Sequence, residues 1–226
     1  MTAPKSLAMI HTVAGLIPTF EALAKQHLPG WTAFHMLDES LLRATLRDGS
    51  LSALTMRRLA GMVWSAVDAG ADAVVVTCST LGPAVDAARP LCPVPLARID
   101  EGMAMAAVRL GARIGVLATV ATTLQPTSDL IRRMAAAADR DISLTAKLAE
   151  GAFQKLAQGD TAAHDAMVGR ALRNLAPLVD VIVLAQASMA RALPAVQAEL
   201  GALPVLTSPE LGMQHLAATL DDIPPL

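Results

Sequence analysis

Cys78 closes the run VVVTCST at residues 74–80 and stands between Thr77 and Ser79. A β-branched run of this kind reads as a buried strand. A thiol at its carboxyl end can serve as a base or a nucleophile once it is ionised. A free thiol has a pKa of about 8.5, so work at neutral pH calls for a lowered value. Three features point that way: a helix N-terminus just after Cys78, the flanking hydroxyls, and His11 at the end of another strand. The expected pair is Cys78 with His11 as its partner base. Cys92 lies between prolines in PLCPVP and reads as structural.

A second version of this segment lies downstream. VVVTCSTLGPA at 74–84 aligns with IVLAQASMARA at 182–192, and IHTVA at 10–14 aligns with LATVA at 117–121. VPLARIDEG at 94–102 echoes LPVLTSPELG at 203–212, placing Glu101 against Glu210. Spacing this constant over so long a span indicates an internal duplication. Gln186 then mirrors Cys78. Its amide does not exchange a proton at neutral pH, but it can donate hydrogen bonds to a carboxylate or an enolate oxygen.

The elements that must position these residues alternate. Apolar runs mark strands at 7–12, 31–37, 73–77 and 94–97, then at 113–118, 142–146, 181–185 and 204–206. Helical spacing marks 18–27, 51–69, 81–89 and 100–110, then 122–138, 150–158, 161–178, 189–200 and 209–220. Leu59, Met62, Val63, Ala66 and Val67 form one buried helix face, and Gly70 stops that helix. Strict alternation predicts an α/β fold of parallel sheets. The duplication divides it into two consecutive four-strand halves.

Two such units facing each other would gather their strand carboxyl ends around one cleft, where ligands of open α/β sheets bind. Those ends are His11–Thr12, Thr77–Thr80, Thr119–Thr123 and Ala185–Ser188. Ser79, Thr80 and Ser188 are expected to open helices, whose free N–H groups favour an anion such as a carboxylate. Each of them taken singly reads equally well as an N-cap. Glu101 and Glu210 read as helix openers, His164 and His215 as surface or helix-face residues, and Arg132–Arg133 as a solvated face.

Composition narrows the partners. Hydrophobic residues make up 54% and charged residues 17%, which excludes disorder. Tyr is absent, aromatics amount to 2% and the net charge is −2, so nucleic-acid binding is not expected. No apolar run is long enough to span a membrane. Without a recognisable signal sequence, the expected location is the cytoplasm. No Cys/His spacing suits zinc, and no metal site is expected.

TCST after a strand, LATVATT at 117–123 and the mirrored LAQASMAR at 184–191 together resemble the aspartate/glutamate/hydantoin racemase superfamily. That group also includes maleate isomerases and arylmalonate decarboxylases. The resemblance implies two pseudo-symmetric flavodoxin-like lobes, each a four-stranded parallel sheet flanked by helices, with the active site in the cleft between them. It also implies no cofactor, a small carboxylate substrate and a dimer or larger homo-oligomer. The C-terminal helix is expected to return to the first lobe, so the lobes are residues 1–100 plus 209–226 and residues 101–208. A typical member places one Cys from each lobe on opposite faces of the substrate α-carbon. Cys78 falls on the first of these, whereas Gln186 stands where the second is expected.

The resemblance makes Thr119 and Thr122 candidates for carboxylate binding, beside Thr12, Ser79, Thr80, Gln186, Ala187 and Ser188. The leading expectation is isomerisation or racemisation of a small carboxylate through one thiolate, with Cys78 and His11 as catalytic residues. A lyase or decarboxylase on the same scaffold is the first alternative. A two-lobed carboxylate-binding protein without turnover is the second.

Overall fold

The computed structural model describes residues 4–221. Those residues form two compact units, 4–102 with 209–221, and 103–208. In the first, β1 (Lys5–His11), β2 (Trp31–Leu37), β3 (Ala73–Val76) and β4 (Leu96–Arg98) form a parallel sheet of order β2-β1-β3-β4. In the second, β5 (Arg113–Ala118), β6 (Ser143–Leu148), β7 (Val181–Leu184) and β8 (Val205–Thr207) repeat that order as β6-β5-β7-β8. The two central strands after each crossover, AVVV and VIVL, are buried at every position. That is why they read as continuous apolar runs rather than as alternating ones.

Helices cover both faces of each sheet. The first unit has α1 (Ile17–His27), α2 (Glu39–Asp48), α3 (Ala53–Asp68), α4 (Gly82–Ala88), the start of α5 (Glu101–Leu110) and α10 (Ser208–Asp221). The second has α6 (Ala121–Ala137), α7 (Ala152–Ala157), α8 (Thr161–Leu175) and α9 (Leu193–Leu200). Strand parity sorts the first unit's core into two layers. Ala8, Ile10, Val74 and Val76 pack with Leu59, Val63 and Ala66 of α3 on one face. Leu7, Met9, Ala73 and Val75 pack with Phe20 of α1 and Met213 of α10 on the other.

The sequence pattern omits α2. Its signals are local: Asp38 caps it by accepting from the Ser40 N–H at 2.9 Å, and Gly49 ends it at φ 65°. Gly70, at φ 88°, does follow α3 as expected.

Two glycines let α5 and α10 meet backbone to backbone. A methyl group on Gly102 would overlap the Leu211 carbonyl oxygen, and one on Gly212 would overlap the Ile99 carbonyl oxygen. Gly82 plays a related part at the start of α4, where the Arg98 guanidinium fills the place of a side chain. Arg98 is buried and held by both oxygens of Asp100, at 3.0 and 2.9 Å, and by Asp86 at 2.6 Å. Glu101 opens α5 and pairs with Arg89 at 2.7 Å, so its role in this network is structural. Gly212→Ala is expected to cost about 3 kcal/mol, the upper range for forcing atoms into a packed contact, because backbone cannot swing aside. Chemical denaturation reads this as a lowered midpoint with an unchanged slope.

Candidate active site

Register decides which side chains meet at the strand ends. Ile10 pairs with Val76 in the first sheet, and Leu117 pairs with Leu184 in the second. Two residues further, on the same face, Thr12 stands beside Cys78 and Thr119 beside Gln186. Each threonine acts on its neighbour. The Thr12 hydroxyl faces the Cys78 sulfur and favours its ionised form. Thr119 donates to the Gln186 side-chain oxygen from its N–H at 2.6 Å and from its hydroxyl at 2.8 Å.

The bonds from Thr119 also fix the amide orientation of Gln186. A backbone N–H needs an acceptor, so the carbonyl oxygen of Gln186 must face Thr119 and its NH2 group must face away. Gln186 is only partly buried, so those two N–H donors are available to a ligand. Thr119 itself, expected to hold a carboxylate, spends both its donors on Gln186 and serves as its support. Thr122, in the first turn of α6, has a buried hydroxyl oxygen without a partner among the described residues.

Cys78 keeps some accessible surface although protein packs densely around its sulfur. Burial pushes the thiol up from its ordinary value, and it outweighs the opposing bonds from the Thr12 hydroxyl, the Leu81 N–H, and the hydroxyl and N–H of Thr80. The expectation of a lowered thiol therefore fails in its net sign. The expected hydroxyls act, but dehydration wins. The segment after Cys78 begins as a 3-10 turn, Ser79–Leu81, and α4 starts only at Gly82. After Gln186 the turn Ala187–Ala192 precedes α9 in the same way. Ser79, Thr80 and Ser188 thus open 3-10 turns rather than α-helices. Ser79 and Thr80 are buried, while Ala187 and Ser188 are partly exposed.

His11 does not join Cys78. It falls one residue earlier on β1, so it leaves the sheet from the opposite face, beside Phe20 at a ring separation of 5.7 Å. Its Nδ1 lies 2.9 Å from the Thr77 hydroxyl and its Nε2 lies 2.9 Å from His35 Nδ1. His35 Nε2 in turn lies 2.9 Å from Glu21, which also meets Lys25 at 2.8 Å. This Thr77–His11–His35–Glu21 chain is absent from the sequence reading. Parity alone carries its signal, since residues 11, 35 and 77 share the α1 face.

The remaining candidates lie elsewhere. His164 is fully buried on α8 rather than exposed, with Nδ1 2.7 Å from Asp165. Arg132 is exposed and paired with Asp129 at 2.8 Å. Among the described residues no cluster of three or more metal-ligating side chains occurs, and no helix is long and apolar enough to cross a membrane.

Comparison with known proteins places this arrangement. The model of the family described as Asp/Glu/Hydantoin racemase matches residues 10–216. The chain belongs to that family. No curated protein matches it. Among solved structures, glutamate racemase from Thermus thermophilus aligns at a TM-score of 0.75 and 19% identity, over 96% of this chain and 81% of that one. Allantoin racemase from Klebsiella pneumoniae aligns at 0.69 and 19%, over 96% and 87% of the two chains. An aspartate racemase homologue from Pyrococcus horikoshii aligns at 0.64 and 12%, over 96% and 100%. At such identities these likenesses show a shared fold, two four-stranded parallel sheets flanked by helices.

The buried His11 carries a testable consequence. Its pKa is lowered to about 4, first by loss of water and then by the facing His35. The unfolded chain takes up this proton near about 6.5 and the folded chain only near 4, so the unfolded state binds more protons between them. Stability is therefore full above that window and declines as pH falls from about 6.5 toward 4, by at most about 3 kcal/mol. Urea midpoints measured at pH 7.5 and 5 are expected to fall more for the wild type than for His11→Leu.

Proposed function

We propose that the protein is a cofactor-independent isomerase of small carboxylates, in which Cys78 is the group that exchanges the substrate proton. The observation that supports this is the matched pair of strand-end contacts, Thr12 on Cys78 and Thr119 on Gln186. One supports a thiol that can give and take a proton. The other supports an amide that can only hold charge.

The two units therefore have unequal tasks. Removing a proton beside a carboxylate loads negative charge onto its oxygens, and donors aimed at them stabilise it. The Gln186 NH2 group is the donor assigned here, with the N–H groups that open the turn Ala187–Ala192 after it. Because burial raises the thiol, Cys78 rests protonated at neutral pH, and its working thiolate forms as a minority species. Activity is accordingly expected to rise with pH through the alkaline range. Thr12 and Thr119 act as supports, and His11 takes no proton from the thiol.

A panel of small 2-amino, 2-hydroxy and dicarboxylic acids in heavy water, followed by proton NMR, tests this reading. At least one acid is expected to lose its Cα–H signal, with inversion as solvent water returns a proton to the face opposite Cys78. Cys78→Ser should slow that loss by about 10²- to 10⁴-fold, the usual weight of a positioned acid or base. Gln186→Ala should cost about 10²- to 10³-fold, the usual weight of one oxyanion donor. Exchange that survives Cys78→Ser removes the thiol from the mechanism. Release of carbon dioxide or of a leaving group makes the protein a lyase, and binding without exchange makes it a carboxylate-binding protein.

A further inference from the structure

The hydrogen-bonded chain from Thr77 to Glu21 has no counterpart in the second unit. Where paired strand ends carry His11 and Thr77 in the first, they carry Ala118 and Ala185 in the second, both buried. The duplicated fold thus closes this part of the sheet with two methyl groups, and a buried polar chain is not required for folding. It accompanies the unit that carries the thiol.

Each ring nitrogen of His11 has a partner: Nδ1 meets the Thr77 hydroxyl and Nε2 meets His35 Nδ1. The Glu21 carboxylate can only accept, so His35 carries a proton on Nε2. His35 thus holds the His11 ring against Thr77 from the other side. The Thr77 hydroxyl also lies 3.2 Å from the Ile10 carbonyl, so its contacts on β1 are two.

This bond lies where the sheet stops supporting itself. The Thr77 N–H donating to the Ile10 carbonyl at 3.0 Å is the outermost backbone bond between β1 and β3 among the described residues. In the second unit the equivalent bond, Ala185 to Leu117 at 2.9 Å, is followed by two bonds from Thr119 to Gln186. In the first unit the next contact is the single Thr12 hydroxyl on the Cys78 sulfur.

We propose that His35 and Glu21 are positioning residues for Cys78, acting through the His11–Thr77 bond that clamps the ends of β1 and β3 and so holds the Thr12 hydroxyl on the thiol. The clamp lies on the sheet face opposite the thiol, so it conducts no proton to it and works through the two strand ends. The charged groups at its outer end are Glu21 and Lys25, and burial keeps the His11 imidazole neutral. The assignment rests on Cys78 being the reactive group, but its test needs no substrate.

In a Cys92→Ser background, the rate of Cys78 alkylation by iodoacetamide is measured against pH. Thr12→Val removes the bond that stabilises the thiolate and is expected to raise the midpoint by about half a pH unit, roughly threefold slower reaction at pH 8. His35→Leu should reproduce that shift, and adding it to Thr12→Val should shift the midpoint no further, since both act through one contact. His35→Gln keeps an acceptor for His11 and a donor for Glu21 and should restore the parent midpoint. Glu21→Ala, at a partly exposed position that does not threaten folding, should give a smaller shift in the same direction. Midpoints unmoved by His35→Leu and Glu21→Ala, whatever happens to the melting temperature, overturn the proposal. So does a double variant whose shifts simply add. Either result leaves the isomerase reading standing, because that reading is decided by Cα–H exchange.

Discussion

The pairing register of the two central strands in each sheet is the constraint on which the candidate site depends. With Ile10 level with Val76 and Leu117 level with Leu184, the residue two places beyond each strand has one possible neighbour. A slip of one residue would turn every side chain to the other face and bring His11, not Thr12, to the thiol. The slip is prevented by burial: both central strands are enclosed on both faces, and each face has its own set of apolar partners. The chemistry at the strand ends is therefore set by packing well below them.

Duplication makes that constraint visible twice. The same threonine supports a thiol in one unit and a carboxamide in the other, so the scaffold is conserved between halves while the reactive group is not. A thiol surrounded by protein is hard to ionise, and one hydroxyl from Thr12 and the donors at Thr80 and Leu81 do not reverse that. A carboxamide has no such difficulty, because it works as a neutral donor once its carbonyl is tied down. The first unit also carries a buried polar chain where the second has two alanines, and that asymmetry follows the thiol.

Much of the fold was legible in the sequence, because it rests on patterns that short windows carry. The eight strands, the order of alternation and the repeat between Cys78 and Gln186 all follow from apolar runs and constant spacing. Helix α2 was missed although Asp38 and Gly49 mark its ends. Of the site, Cys78 and Gln186 lie just past their strands as the apolar runs imply, while Thr122 lies within the first turn of α6. Thr119 and His11 were read as ligand-facing or catalytic because both sit at strand ends rich in polar groups. Position along a strand shows only that a residue reaches the carboxyl edge. Which face it takes, and what already occupies its donors, depends on register with a strand 66 residues away, as for His11 and Thr77. The net direction of the Cys78 shift was out of reach for the same reason, since it is a balance between packing density and four hydrogen bonds.

The central claim is that each unit presents one strand-end side chain on one threonine, whatever that side chain is. Moving the thiol tests it most directly. In a Cys78→Ser, Cys92→Ser background carrying Gln186→Cys, the only thiol lies at the second unit's strand end, and its ionisation can be followed by ultraviolet absorbance. The account expects Thr119→Val to raise that thiol's pKa by about half a unit or more, as loss of a hydrogen bond to the charged form should. A thiol at position 186 that titrates identically with and without the Thr119 hydroxyl would contradict it.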